Sequence, residues 1–136
     1  MRYLPNELPP EVIEFLTERH LATLTLVTSA DDAHVTPVGF TWDNERLIAR
    51  VITFSESKKV RLVESAGSLP AVLGQVDGGR WLALHGTATV SADAAVNADA
   101  VRRYAERYRT PKDRGADRRT IEITIERVIG RVKATS

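Results

Sequence analysis

Residues 71–90 read AVLGQVDGGRWLALHGTATV, and this stretch decides the fold class. Two β-rich runs, residues 71–76 and 80–90, flank the turn-forming segment Asp77-Gly78-Gly79. In the second run, apolar or small residues recur at every other position from Leu82 to Val90, so that one face of the strand points inward. The stretch therefore predicts an antiparallel β-hairpin with one buried face.

Similar patterns on both sides of this hairpin extend the predicted sheet. Residues 21–29 alternate Leu, Thr and Val, and residues 121–126 alternate Ile with Glu or Thr. Residues 34–42 and 46–53 are two β-rich runs around a turn at residues 43–45, and we expect them to pair as a second hairpin. Six strands result, and closing them into a barrel would remove the exposed edges.

Three segments have helical patterns and are expected at the periphery of the barrel. Pro9-Pro10 begins the first helix, and residues 55–65 form the second. Ser91 is expected to cap the third, in which apolar or aromatic residues recur every fourth position until Pro111. The predicted fold is mainly β with peripheral helices.

Length and composition predict a single domain spanning residues 1–136. Hydrophobic residues make up 43% and charged residues 27% of the chain, as in an ordinary globular protein. The absence of Cys excludes disulfides and thiolate sites. The first ten residues lack a signal-peptide pattern, and no apolar run reaches membrane-spanning length, so we expect a cytoplasmic protein with no membrane association.

Charge is distributed unevenly along the chain. Residues 1–100 carry 8 basic and 13 acidic groups, whereas residues 101–136 carry 11 basic and 5 acidic groups. A local charge of +6 is compatible with nucleic acid or with an anionic small molecule, and composition does not distinguish the two.

Motifs for metal binding or nucleophilic catalysis are missing from the sequence. The three histidines, His20, His34 and His85, are far apart, and no phosphate-binding glycine loop or nucleophile triad occurs. We therefore expect no metal site and assign no catalytic side chain.

The segment Arg50-Val51-Ile52-Thr53, followed by Ser57-Lys58-Lys59-Val60-Arg61, resembles the pyridoxamine phosphate oxidase-like superfamily of flavin and deazaflavin oxidoreductases. In that superfamily the third strand and the turn into a helix bind a cofactor phosphate. The chemistry fits, because hydroxyl groups and free N–H groups at a helix start attract an anion, and a lysine adds a full charge. The alternative is that Lys58, Lys59 and Arg61 form a solvated helix face.

Residues 34–40, 75–86, 103–111 and 121–130 are similar to one branch of this superfamily, the actinobacterial deazaflavin-dependent reductases, some of which reduce biliverdin. The resemblance implies a six-stranded antiparallel split β-barrel of the FMN-binding type, assembled as a homodimer. It also implies hydride transfer from the reduced deazaflavin coenzyme F420 to an unsaturated acceptor, with the reduction of biliverdin to bilirubin as one candidate reaction. The implied cofactor-binding residues are Pro37, Val38, Gly39, Arg50, Val51, Thr53, Ser57, Lys58, Lys59, Gln75, Arg80 and Trp81.

Three other functions stay open at this stage. An FMN-binding oxidase of the same superfamily would use the same phosphate-binding residues. A non-catalytic carrier could sequester the cofactor or a haem product. A nucleic-acid-binding barrel is disfavoured, because the arginines near residue 105 are not interleaved with an aromatic stacking platform. An anionic acceptor such as a tetrapyrrole could instead place its propionates on this arginine-rich segment.

Overall fold

The computed structural model describes residues 1–29 and 31–133. They form eight β-strands and three α-helices, with short 3₁₀ turns at Pro5–Glu7 and Gly115–Asp117. The strands are β1 (Arg2–Tyr3), β2 (Ala22–Ser29), β3 (Asp32–Val38), β4 (Thr41–Asp43), β5 (Ile48–Phe54), β6 (Leu69–Asp77), β7 (Arg80–Ser91) and β8 (Arg118–Arg131). The helices are α1 (Pro10–Phe15), α2 (Lys58–Ala66) and α3 (Ala94–Arg107).

All strands belong to one antiparallel sheet in the order β3-β2-β6-β7-β8-β5-β4, and β1 pairs with β8. The two edge strands, β3 and β4, are separated in sequence by only Gly39 and Phe40. A link of three Cα–Cα steps covers at most about 11 Å. The sheet must therefore curl until its edges meet at this link. No ladder joins β3 to β4 or β5 within the described residues, so the barrel is split along this line.

The core fills the inside of this barrel with aliphatic side chains from alternate strand positions. Leu24, Leu73, Leu84 and Ile123 are fully buried, and Phe40 from the link between the edges lies among the buried core residues. The β7–β8 ladder contains a bulge at His85/Gly86. A side chain on Gly86 would lie 2.0 Å from the Thr124 carbonyl oxygen, so glycine is what permits this close approach.

The mainly-β antiparallel fold predicted from the sequence is confirmed, and the differences are local. The predicted run 34–42 divides into β3, which pairs with β2, and β4, which pairs with β5. The predicted second hairpin is therefore right only for the β4–β5 part. This division and the two-residue β1 raise the strand number from six to eight.

A helix forms in each of the three predicted segments, but α2 begins at Lys58 and not at residue 55, α3 ends at Arg107, before Pro111, and one cap differs. Asp93, and not Ser91, caps α3: its carboxylate accepts a hydrogen bond from the Val96 N–H at 3.2 Å. Ser91 is the last residue of β7. Within residues 1–29 and 31–133, no helix has the length and apolar character needed to cross a bilayer.

Candidate functional site

A groove of about 410 Å³ runs along the split of the barrel. Its walls come from the end of β3, the last residues of β5, the start of α2, and the segment that joins α3 to β8. The lining residues are Pro37, Val38, Gly39, Val51, Ile52, Thr53, Phe54, Lys59, Tyr104, Arg109, Thr110, Pro111, Lys112, Arg114 and Arg118.

The floor of the groove includes a free strand edge. β4 pairs with β5 only as far as Arg50, whereas β8 continues to pair with β5 through Phe54. In the described part of the chain, residues 51–54 thus have no strand partner on the side away from β8. A free edge presents backbone N–H and C=O groups that a planar, polar ring system can bind.

One end of the groove depends on the absence of a side chain at Gly39. A Cβ atom there would lie 3.0 Å from Cε2 of Tyr104 and 3.1 Å from ring atoms of Tyr108. These two tyrosine rings pack together with their centroids 4.8 Å apart. The Tyr108 hydroxyl donates to the His20 carbonyl oxygen at 2.6 Å and accepts from the Phe40 N–H at 3.2 Å, which holds its ring in place.

The lining of the groove is strongly cationic. Five of its residues carry positive charge and none carries a carboxylate: Lys59, Arg109, Lys112, Arg114 and Arg118. Burial lowers the pKa of the Lys59 ammonium, and this group makes no ion pair or hydrogen bond within residues 1–29 and 31–133. A bound anion would compensate for that lost solvation.

Two arginines fix the segment after α3 against the end of β5. The buried Arg118 donates from Nη1 to the Thr53 carbonyl oxygen at 3.2 Å and from Nη2 to the Lys112 carbonyl oxygen. The Arg114 guanidinium lies 4.4 Å from the centroid of the Phe54 ring. These contacts hold the cationic segment beside the free edge of β5.

The start of α2 supplies the other wall. Ser57 caps the helix by accepting a hydrogen bond from the Val60 N–H at 3.4 Å. The N–H groups of Lys58 and Lys59, in the first turn, have no intrahelical acceptor and carry the positive end of the helix dipole. Lys59 contributes its side chain to the groove, whereas Lys58 is exposed and outside it.

Comparison with known proteins places this barrel in a family. The family model for pyridoxamine 5'-phosphate oxidase matches residues 8–131. The chain belongs to the pyridoxamine 5'-phosphate oxidase family. It is 48% identical over 125 residues to an F420H(2)-dependent biliverdin reductase of Mycobacterium tuberculosis, a match that covers 92% of this chain and 89% of that protein.

Two solved structures have the same overall fold as this chain. The chain matches an F420 reductase with a TM-score of 0.70 and 18% identity, over 90% of this chain and 98% of that one. It matches a conserved hypothetical protein from Mycobacterium tuberculosis with a TM-score of 0.72 and 16% identity, over 96% and 91% of the two chains. At these identities the two likenesses show the fold alone.

The structure brings half of the predicted cofactor residues together. Six of them line the groove of this family member: Pro37, Val38, Gly39, Val51, Thr53 and Lys59. Ser57 does not line the groove and contributes to it only as the N-cap of α2. Lys58, one helical position before Lys59, points elsewhere because neighbouring positions are rotated by about 100°.

Arg50 and Gln75 are placed away from the groove. The Arg50 side chain is 6% exposed, and its Nη1 donates to Asp43 Oδ2 at 2.9 Å, in a different cleft beside α3. Burial acts to raise the pKa of Asp43, but hydrogen bonds from Arg46, Arg50 and Glu45 outweigh it and hold the pKa well below its usual range. Arg50 therefore anchors the β4–β5 hairpin.

Gln75 lies in the interior, with no exposed surface. Its Nε2 donates to the Phe15 carbonyl oxygen at 2.9 Å, and its Oε1 accepts from Arg107 Nη2 at 2.6 Å. Arg107 also donates to the carbonyl oxygens of Glu18 and Phe40. This network connects α1, the β3–β4 link, β6 and α3.

Arg80 and Trp81 lie at the β6–β7 hairpin, also outside the groove. Arg80 donates to both carboxylate oxygens of Glu18, at 2.9 and 2.8 Å, and to Asp77. Hydrogen bonds from Arg80 and His20 lower the pKa of Glu18 to about 2. Arg80 thus belongs to a surface ion-pair network, and Trp81 is 40% exposed on the outer face of the sheet.

Sequence reasoning missed the cations of the segment after α3 as groove residues. These cations lie on either side of Pro111, in the basic last third of the chain, and they are Arg109, Lys112, Arg114 and Arg118. The local excess of positive charge was the available signal, but only the fold shows that these residues approach β5.

Proposed function

We propose that this protein is a reductase that uses the reduced deazaflavin coenzyme F420 as hydride donor to an unsaturated acceptor. The observation that carries the proposal is the cationic groove at the barrel split, which has five basic residues and no carboxylate in its lining. The relative that is 48% identical over most of the chain, an F420H(2)-dependent biliverdin reductase, supports the same activity.

The groove residues fit the chemical parts of this coenzyme. The desolvated Lys59 and the first turn of α2 would bind the phosphate. The free edge of β5 and the segment 37–39 would contact the tricyclic ring with backbone groups and small or apolar side chains. Lys112 and Arg114 would attract the carboxylates of the glutamyl tail.

When bound, the reduced deazaflavin supplies a hydride, that is, two electrons and the hydrogen nucleus in one step. The chain contributes position and environment. Arg118 and Arg114 fix the cationic wall, Tyr104 packs against Gly39 at one end of the groove, and the apolar side chains of β3 and β5 exclude water. We assign no catalytic acid or base, and solvent would supply the proton that accompanies the hydride.

We propose a linear tetrapyrrole of the biliverdin type as an acceptor of this reductase. Such a molecule is conjugated and carries two propionates. The groove has more cations than one phosphate requires, so an acid-bearing acceptor would meet complementary charge. Hydride addition at the central bridging carbon and protonation of a ring nitrogen would give bilirubin.

We propose a homodimer that buries the outer face of the sheet. Strand alternation and the ladder registers put Val27, Val35, Val76 and Trp81 on the same face, where they are 37%, 56%, 67% and 40% exposed. An apolar sheet face of this kind marks an interaction surface. Because β3 carries both Val35 and the groove residues Pro37 and Val38, a second copy on this face would lie next to the groove.

We also propose a cytoplasmic location. The chain contains no Cys, so it gains nothing from an oxidising compartment. The hydride donor that we infer is an intracellular coenzyme.

The cofactor assignment is tested by titrating the protein separately with the oxidised deazaflavin coenzyme and with FMN. We expect tighter binding of the deazaflavin. Lys59→Ala should weaken it on the order of tenfold to a hundredfold, the loss of one charge-assisted contact. Lys58→Ala is the matched control, since it removes the same charge from an exposed neighbour. Tighter binding of FMN than of the deazaflavin would favour the flavin oxidase. Equal deazaflavin affinities of the Lys59→Ala and Lys58→Ala variants would place both lysines on a solvated helix face.

A further inference from the structure

A second cavity adjoins the groove and has a different composition. It measures about 450 Å³ and is lined by Arg19, His20, Leu21, Tyr104, Tyr108 and Arg109. We call it the annex. Tyr104 and Arg109 line both the annex and the groove, so the two spaces meet at these side chains.

The wall of the annex is aromatic and held in position. The Tyr104 and Tyr108 rings pack at a centroid distance of 4.8 Å, and the Tyr108 hydroxyl is fixed by hydrogen bonds to the backbone of His20 and Phe40. Leu21, 65% exposed, adds an apolar surface. Planar conjugated molecules bind to walls of this kind at low entropic cost.

The charges at the annex are positive and available. Within residues 1–29 and 31–133, neither Arg19 nor Arg109 makes an ion pair or a side-chain hydrogen bond, in contrast to Arg80, Arg102 and Arg103, which all do. The annex lining contains no carboxylate. Free guanidinium groups beside an aromatic wall are suited to carboxylates on a flat ligand.

We propose that the annex is the acceptor subsite and that it takes a planar, conjugated molecule bearing carboxylates, with Arg19 and Arg109 binding the carboxylates beside the tyrosine wall. The proposal rests on the reductase function, because it places the acceptor next to the groove that would hold the hydride donor. Arg19 is the residue that tests the proposal, because it lines the annex but not the groove, whereas Arg109 lines both.

The test compares Arg19→Ala with Arg102→Ala in the full chain. Arg102 is an exposed arginine of α3 that lines neither the groove nor the annex, so its removal controls for net charge. Steady-state reduction of biliverdin by the reduced deazaflavin should show a KM about tenfold higher for Arg19→Ala, with kcat nearly unchanged. The Arg102→Ala variant should match the wild type. With biliverdin dimethyl ester, whose carboxylates are masked, the KM should not respond to Arg19→Ala.

Direct binding separates this proposal from the reductase function. Biliverdin is titrated into protein loaded with the oxidised coenzyme, which cannot react. About tenfold weaker binding to Arg19→Ala supports the annex even if no turnover is found and the reductase proposal fails. Equal biliverdin affinity of the Arg19→Ala and Arg102→Ala variants overturns the annex even if turnover is rapid. Weaker coenzyme binding in Arg19→Ala, with unchanged biliverdin binding, overturns it also, because the annex would then serve the coenzyme tail.

Discussion

Replacing Gln75 with Leu should destabilise the fold without weakening the coenzyme site. Gln75 is fully buried and joins the Phe15 carbonyl oxygen to the Arg107 guanidinium at 2.9 and 2.6 Å. Leucine is similar in volume but leaves both groups without this partner. A buried polar group left unsatisfied costs about 1–3 kcal/mol. The two groups together predict a loss of about 2–6 kcal/mol in the free energy of unfolding, which lowers the Tm of a chain of this size by roughly 7–20 °C.

The assay is urea unfolding of Gln75→Leu, of Arg107→Met and of the double variant. The charge-assisted contact between Gln75 and Arg107 predicts a coupling energy of about 1.5–3 kcal/mol, so the double variant should lose less stability than the sum of the two single ones. Coenzyme affinity, measured below the unfolding transition, should stay within about twofold of wild type for Gln75→Leu, because this side chain does not line the groove. Normal stability combined with strongly weakened coenzyme binding would instead make Gln75 a cofactor ligand.

Three further predictions concern pH, assembly and salt. The folded-state pKa of Glu18 is about 2, below its ordinary 4.5, so its stabilising effect is complete above pH 4.5 and is lost as the pH falls toward 2. Glu18→Gln should therefore reduce the change in the free energy of unfolding between pH 4.5 and 2, and an unchanged pH dependence would contradict the Arg80 contact. In light scattering the wild type should have twice the chain mass of 15.0 kDa, and Val35→Glu should have the mass of a monomer. A monomeric wild type with full coenzyme affinity would exclude the dimer. Raising salt should increase the KM for biliverdin more than it lowers kcat and should have little effect on its dimethyl ester; equal responses would argue against charge recognition.

The antiparallel barrel could be predicted because each strand carries its own alternating pattern. The division of residues 34–42 could not, because the apolar and small residues continue across Gly39 and Phe40 while the chain passes from one sheet edge to the other. Which strands become edges is decided by long-range pairing. A local pattern does not contain that information.

The candidate site was predictable where it is local and not where it depends on distant contacts. Thr53, Ser57 and Lys59 are near in sequence, and a strand followed by a helix start places them together. Arg50 is adjacent in sequence but turns away to Asp43. Arg114 and Arg118 reach the same groove from more than fifty positions later, through contacts with Phe54 and Thr53 that only the fold reveals.

The hydride donor can be identified by anaerobic mixing of the protein with the reduced deazaflavin coenzyme, with and without biliverdin, while reoxidation is followed in the visible spectrum. Reduced FMN is run in parallel. We predict rapid reoxidation of the deazaflavin only when both protein and biliverdin are present. A deazaflavin that stays reduced over many minutes at micromolar protein, while FMN supports turnover or oxygen uptake, would contradict the assignment.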